Sequence, residues 1–271
     1  MKRIAPIVAI FCILLFSCSK DNYDIENLYN KIFILGHGGM GVGKAAYPLD
    51  SYEGIQKAIS LGADGSEMDI QITKDSVLVC YHDKLLEEAT DATGEIYNKN
   101  WDEIKNAVYN GDPYVSYKIC SLDWMFSVTN DTIHNFTFDI KFNDPDQSAA
   151  NSDIFQRALI RLIEKYRLAK NITIESPSAD FLESFKKKKP GYNMFIYTDY
   201  ETALQTAKEL GLKGITVKAD EVSAEQVAEA HNAGIMVAVF STTHRNHEEV
   251  IKKNVDIIQT DDLEDLLERL K

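Results

Sequence analysis

A single-domain α/β fold, the (β/α)8 barrel, is what this sequence predicts, and three observations predict it. Behind a short leader the chain keeps about 250 residues, the size of one large α/β domain. From Asp153 onward, five helix-then-strand units follow one another, as parallel strands joined by right-handed crossovers require. Adding the strands Lys31–Gly36, Ser66–Thr73 and Asn135–Lys141 brings the strand count to eight.

The leader comes first in the chain. Met1-Lys2-Arg3 is a basic start, and Ile4–Phe16 is an apolar run too short for a comfortable membrane span. Leu15-Phe16-Ser17-Cys18 resembles a bacterial lipobox, although Phe16 is unusual there; a plain secretory signal is the alternative reading. The expected division is a signal peptide over 1–17, a lipidated Cys18 with a polar tether over 18–30, and one domain over 31–271. Each buried acyl CH₂ contributes roughly 0.8 kcal/mol, so multiple chains on Cys18 would hold the protein at a membrane of the bacterial cell envelope. The net charge of −13 excludes the basic footprint of a nucleic-acid binder and disfavours adhesion to anionic lipid. Two cysteines remain in the domain; Cys80 reads as packing in an apolar strand, and a Cys80–Cys120 disulfide has no spacing signature.

The first strand, KIFILG, runs into His37-Gly38-Gly39-Met40-Gly41-Val42-Gly43-Lys44. Gly38–Lys44 imitates a phosphate loop, but Ala45 offers no hydroxyl for a metal and Pro48 breaks the helix that should follow. His37 stands just beyond a strand end, where barrel enzymes place their chemistry. Asp50 is expected as N-cap of the first helix, with Glu53 three residues on and Gly62 closing it; Tyr52, Ile55 and Ile59 form the apolar face.

Next comes ADGSEMDIQITKDSVLVCYHD, Ala63–Asp83. Alternation puts Glu67, Asp69 and Gln71 on one face and Met68, Ile70 and Ile72 on the other. The link Lys74-Asp75 is too short for a crossover, so Ser66–Thr73 and Val77–His82 are expected as an antiparallel hairpin. With a two-residue loop Thr73 pairs Ser76 and His82 falls opposite Glu67, gathering Glu67, Asp69 and His82 into one cluster. Two carboxylates and an imidazole can bind a hard divalent cation and move protons; the competing reading is a solvated sheet face.

Lys84–Gly111 reads as a polar excursion with a helix over Trp101–Val108, and Leu122–Val128 as another helix. In Asn135–Lys141 the residues Thr137, Asp139 and Lys141 share a face; Asp and Lys in an apolar strand suit either a metal or phosphate site or a surface ion pair. The remaining strands are Asn171–Glu175, Asn193–Tyr197, Gly214–Val217, Ile235–Phe240 and Asp256–Thr260. Helices are expected over Asp153–Tyr166, Ala179–Lys187, Glu201–Leu210, Ser223–Ala233, His247–Lys253 and Leu263–Leu270. His134, His231, His244 and His247 read as structural, and Lys186–Lys189 as a helix C-terminus.

His37 after the first strand, PLDS at Pro48–Ser51, the Gly62–Asp83 block, FDIK at Phe138–Lys141, HNAGIMVAVFST at His231–Thr242 and VDIIQTD at Val255–Asp261 together resemble the glycerophosphodiester phosphodiesterase family. The resemblance implies a phospholipase C-like TIM barrel that hydrolyses glycerophosphodiesters to glycerol 3-phosphate and an alcohol. It implies Glu67, Asp69 and Asp139 as ligands of one divalent cation, Ca²⁺ or Mg²⁺, with His37 and His82 as the acid/base pair and Lys141 facing phosphate. Which histidine is the acid, and whether water or the substrate's own hydroxyl attacks through a cyclic phosphate, stay open. Three departures stand out. Gly38 replaces the arginine of His-Arg-Gly, with Lys44 as candidate substitute; PLDS replaces Pro-Glu-Asn-Thr; and Asp139 replaces the usual Glu, with Phe240 where Trp is usual in the substrate pocket. A phospholipase C-like lyase, or a catalytically weakened phosphodiester-binding lipoprotein, are the alternatives. The partners implied are a small phosphodiester and, through the lipid, a membrane, with the chain acting as a monomer.

Overall fold

The computed structural model describes residues 23–42, 46–111, 116–129, 131, 133–141 and 149–271. Cys18, Lys44 and the leader lie outside them. Ten strands and nine helices occur among the described residues. They run β1 (Phe33–Gly36), α1 (Tyr52–Leu61), β2 (Gly65–Ile72), β3 (Leu78–Cys80), α2 (Trp101–Ile104), β4 (Cys120–Ser121), α3 (Leu122–Thr129), β5 (Asn135–Ile140) and α4 (Ala149–Lys165). There follow β6 (Ile172–Ser176), α5 (Ala179–Lys188), β7 (Asn193–Tyr197), α6 (Tyr200–Leu210), β8 (Gly214–Lys218), α7 (Ala224–Asn232), β9 (Met236–Thr242), α8 (His247–Lys252), β10 (Ile257–Thr260) and α9 (Leu263–Leu270).

Eight strands close a parallel barrel in the order β1-β2-β5-β6-β7-β8-β9-β10, with β10 returning to β1. Outward-facing Met68, Ile70, Phe136, Phe138, Ile172 and Ile174 pack beneath the helices in one apolar core. Inside, the lower layers are closed by Leu35, Phe195, Met236, Ala238 and Ile257. The upper layers are polar: Glu67, Asp69, Thr137, Asp139, Glu175, Thr216 and Gln259 are all buried. Period-two alternation carries both patterns, so each strand contributes one residue in two to the interior.

The hairpin forms, but its register differs from the expected one. Ile70 pairs Cys80 and Ile72 pairs Leu78, so Thr73 meets Val77 and the loop holds three residues, with Ser76 at φ 68. Continuing that register puts His82 opposite Met68, not Glu67. β4 then pairs with β3, aligning Cys120 with Cys80; both are buried free thiols. The expected Trp101–Val108 helix shrinks to the single turn α2. The N-cap of α1 is Ser51, whose hydroxyl accepts from the Gly54 N–H; Asp50 faces inward instead. No helix among the described residues is long and apolar enough to cross a membrane.

Candidate active site

The pairing of β2 with β5 builds the centre. Asp69 aligns with Asp139 and Glu67 with Thr137, and one oxygen from each of Glu67, Asp69 and Asp139 lies within 4.8 Å of the others. Lys141, two residues past Asp139 on the same face, bridges Asp69 Oδ1 at 3.0 Å and Asp139 Oδ2 at 2.6 Å. Three carboxylates against one ammonium leave two negative charges in a buried place. Asp69 Oδ2 and Asp139 Oδ1 have no hydrogen-bond partner among the described residues. Buried, unpartnered carboxylate oxygens are costly unless a cation takes them up, and an all-oxygen set suits a hard divalent ion. The residues fit such a metal. Burial, then the neighbouring Asp69 and Asp139 charges, push Glu67 well above the ordinary carboxylate range. Burial likewise raises Asp139, with Lys141 opposing. Burial works against the Lys141 ammonium, yet Asp69 and Asp139 outweigh it and raise its pKa.

The glycine loop after β1 wraps this cluster. The Gly38 N–H donates to Glu67 Oε2 at 2.9 Å, and His37 Nε2 stands 3.9 Å from the same oxygen. His37 Nδ1 lies 2.7 Å from Asp261 Oδ1 at the end of β10, which also accepts from the Val42 N–H. An Nδ1–H held by that carboxylate leaves Nε2 facing the acids. Burial lowers the His37 pKa, but the Asp261 contact and the Asp261, Asp69 and Asp50 charges more than compensate and raise it. Phe240 sets its ring edge-on to the His37 imidazole, 6.3 Å between centroids, and packs on Tyr197. Gly38 has φ +53, and a Cβ there would fall 2.2 Å from Leu49 Cδ1. Gly41, φ +95, would drive a Cβ to 2.5 Å from Asp261 Cα. The loop reaches both Glu67 and Asp261 only because these positions lack side chains.

His82 corrects the expected cluster. Its Nδ1 hydrogen-bonds Asp83 Oδ1 at 2.8 Å, and its side chain is 48% exposed, at the rim and outside the carboxylate triad. Gln71, inside the barrel, donates to the Tyr81 and Asp83 carbonyls at 2.8 and 2.7 Å and so fixes the arm carrying it. His82 lines a cleft with Gly41 and Val42, beside the loop that follows His37. All six histidines touch an aspartate: His134 Asp131, His231 Asp256, His244 Asp262 and His247 Asp265 are the other pairs. An Asp partner therefore marks nothing by itself; the place at the barrel mouth does.

Three acidic residues were not among the sequence candidates. Asp50, φ 62 and fully buried, accepts the Asp69 N–H at 3.0 Å; burial, then Asp69 and Glu67, raise it well above the usual range. Glu175, aligned with Asp139, accepts from Thr216 and Gln259, and burial pushes it up to about 8. Asp261 is the third. The inward parity of Glu175 was visible in ITIES; Asp50 and Asp261 carried only a cap and a strand-end signal.

The sequence profile of the glycerophosphoryl diester phosphodiesterase family matches residues 43–265. A glycerophosphodiester phosphodiesterase of Caldanaerobacter subterraneus subsp. tengcongensis is 24% identical over 245 residues, 88% of this chain and 97% of that protein. Among solved structures, a glycerophosphodiester phosphodiesterase from Parabacteroides distasonis aligns with TM-score 0.71 at 22% identity, over 85% of this chain and 94% of that one. An Oleispira antarctica phosphodiesterase in complex with its product sn-glycerol-3-phosphate aligns with TM-score 0.74 at 17% identity, over 86% and 94%. These two likenesses establish the shared barrel.

Proposed function

This chain belongs to the glycerophosphoryl diester phosphodiesterase family and is a phosphodiesterase; on that premise we propose that it hydrolyses glycerophosphodiesters to glycerol 3-phosphate and an alcohol, using one divalent cation and the His37/His82 pair. The observation that carries this reading is the buried triad Glu67, Asp69 and Asp139 beside His37 Nε2. A Ca²⁺ or Mg²⁺ ion held by the three carboxylates would supply Lewis acidity against the charge that grows on the phosphoryl oxygens. Lys141 adds a fixed positive charge next to the same place, and the Gly38 N–H keeps Glu67 oriented.

His37 is suited to be the base. Asp261 fixes its Nδ1–H, so Nε2 can take the proton of an attacking hydroxyl while Asp261 steadies the imidazolium. His82, on the cleft rim, is suited to give a proton to the departing alkoxide, whose conjugate acid is weak. The proton gained by one imidazole and lost by the other leaves the pair reset after exchange with water. The missing arginine at Gly38 argues for the weakened reading, and Leu49 fills the space such a side chain would need. Phosphorus NMR of the products decides between the readings. Glycerol 3-phosphate is the expected product, with His82→Ala slowing its release about 10²–10⁴-fold. A cyclic phosphate would instead establish the lyase, and binding without turnover the silent barrel.

The proposal extends to location. Cys18 would carry the lipid, the tether 18–30 would hang the barrel from the cell-envelope membrane, and the chain would act as a monomer. Metabolic labelling with a palmitate analogue, lost in Cys18→Ala, is the expected result.

A further inference from the structure

From Tyr23 on, the segment in front of β1 is docked on the barrel. Tyr23 and Ile25 pack on the apolar core, and Tyr23 stands by Arg269 in the last turn of α9. The Glu26 N–H donates to Asn254 Oδ1 at 2.9 Å, and the buried Asn27 amide donates to the Lys31 and Val255 carbonyls at 2.8 and 2.9 Å. Asn27 Oδ1 accepts the Tyr29 and Lys31 N–H groups, and the Leu28 N–H donates to Asp256 Oδ1 at 3.3 Å. The segment is thereby fastened to the loop that leads into β10, at the base of the barrel. The metal centre is at the other end, since β5 starts at the base with Asn135 and reaches Asp139 near its close. From Cys18 to Tyr23 the chain spans at most about 18 Å, against about 43 Å for an undocked tether over 18–30. A lipid on Cys18 therefore brings the base, and not the mouth, to the bilayer.

The base has the make-up of an interfacial surface. Leu28 and Tyr29 are 39% and 45% exposed, and Ile133, in front of β5, is 77% exposed. Tyr29 stands edge-on to Phe33, 5.9 Å between centroids, at the lower end of the barrel. Lys213 Nζ lies 5.9 Å from the centre of the Tyr29 ring, and Lys31 Nζ 4.8 Å from that of Phe33. Exposed tyrosine beside lysines whose stems lie along apolar surface is the pairing that suits a membrane–water boundary. Charge agrees. The loops in front of the barrel strands, 23–32, 62–64, 131–134, 166–171, 189–192, 211–213, 233–235 and 253–256, hold six Lys and Arg against five Asp and Glu, in a chain of net charge −13. The acidic excess lies elsewhere, so this is the end that an anionic bilayer repels least.

We propose, resting on the lipid attachment at Cys18 argued above, that the base of the barrel is the face that docks on the membrane, with Leu28 and Tyr29 at the lipid interface and the catalytic mouth turned to water. The acyl chains supply the attachment and this face the orientation. Indole fluorescence tests it. Both native tryptophans stand toward the mouth: Trp101 donates its N–H to Asp75 in the loop after β2, and Trp124 lies in the first turn of α3. Tyr29→Trp adds an indole on the base. The full chain is purified from bacterial cells and reconstituted into vesicles of phosphatidylcholine and phosphatidylglycerol, with plain or brominated acyl chains. The emission added by Tyr29→Trp is expected to shift to the blue and to be lost in the brominated vesicles, while wild-type emission is the same in both. Quenching of the wild-type indoles, or of none in either protein, overturns the docking face. Leu28→Trp gives the same readout should Tyr29→Trp fail to fold. The mass of the N-terminal peptide reports the attachment separately. If Cys18 carries no lipid, the attachment reading fails and the same vesicles added to the unlipidated protein still decide. Saturable quenching of the added indole supports the docking face, and none overturns it.

Discussion

Gly38 and Leu49, two positions where the sequence reads as departing from the family pattern, meet in the structure. The side chain of Leu49 occupies the space beside Gly38, and Gly38 itself has a left-handed backbone, so a side chain at position 38 is opposed on both counts. Left-handed φ costs a non-glycine residue about 1–2 kcal/mol. Gly38→Ala is therefore expected to lower the Tm by about 2–8 °C, since 1 kcal/mol shifts a domain of this size by about 2–4 °C. In Gly38→Ala/Leu49→Ala the loss should be smaller than the sum of the single losses, read by calorimetry as a double-mutant cycle. Asp261 gives the second residue-level prediction. Asp261→Asn removes a charge that raises His37, so the His37 pKa falls and its neutral form persists to lower pH. Imidazole NMR should show that shift, accompanied by a loss of kcat/KM of about tenfold or more and an acid limb of the pH profile moved down. Of these residues His37 was legible as the first side chain past a strand. Asp261 was not, because its role depends on β10 closing beside β1, a contact 224 residues apart in sequence.

At the scale of the element, strands and helices were readable wherever a period persisted. The Asn193–Tyr197 strand and the Leu263–Leu270 helix fall where alternation and amphipathy put them. The hairpin was readable in kind but not in register. Thr73 Oγ1 accepts the Val77 N–H, and Asp75 Oδ1 accepts the Trp101 N–H, so a residue 26 positions away pins the loop in its three-residue form. No local signal could have carried that, and one residue of slip moved His82 off the face of Glu67. His247 supplies the prediction here. Fully buried between α8, β10 and α9, it meets Asp265 at 2.7 Å and Thr260 at 2.8 Å, which suits an Nδ1–H donor and an Nε2 acceptor. Burial lowers its pKa in spite of Asp265. A histidine lowered on folding stabilises the fold above its unfolded value of about 6.5 and loses that contribution as pH falls through the folded value. The Tm should therefore drop on acidification from about pH 7.5, and His247→Asn, which keeps a donor for Asp265, should flatten that drop.

For the whole molecule, one division matters: an apolar plug in the lower barrel and, above it, an acidic layer that Lys141 compensates only in part. The eight-strand count and the inward acids of β2 and β5 were legible because alternation runs through both. The two-residue strand β4, and Asp50 turned inward by a positive φ, left no periodic trace. If the acidic layer is a metal site, ligand binding to the folded state alone must stabilise it. A divalent cation at 100 times its Kd contributes about 2.7 kcal/mol, a Tm rise of about 5–10 °C. Asp139→Asn should abolish that rise. The most direct measurement is glycerol 3-phosphate release by protein stripped with EDTA and then titrated with Ca²⁺ or Mg²⁺. The expected result is negligible turnover when stripped, and full recovery at one bound cation per chain. Undiminished turnover by the stripped protein would contradict the account.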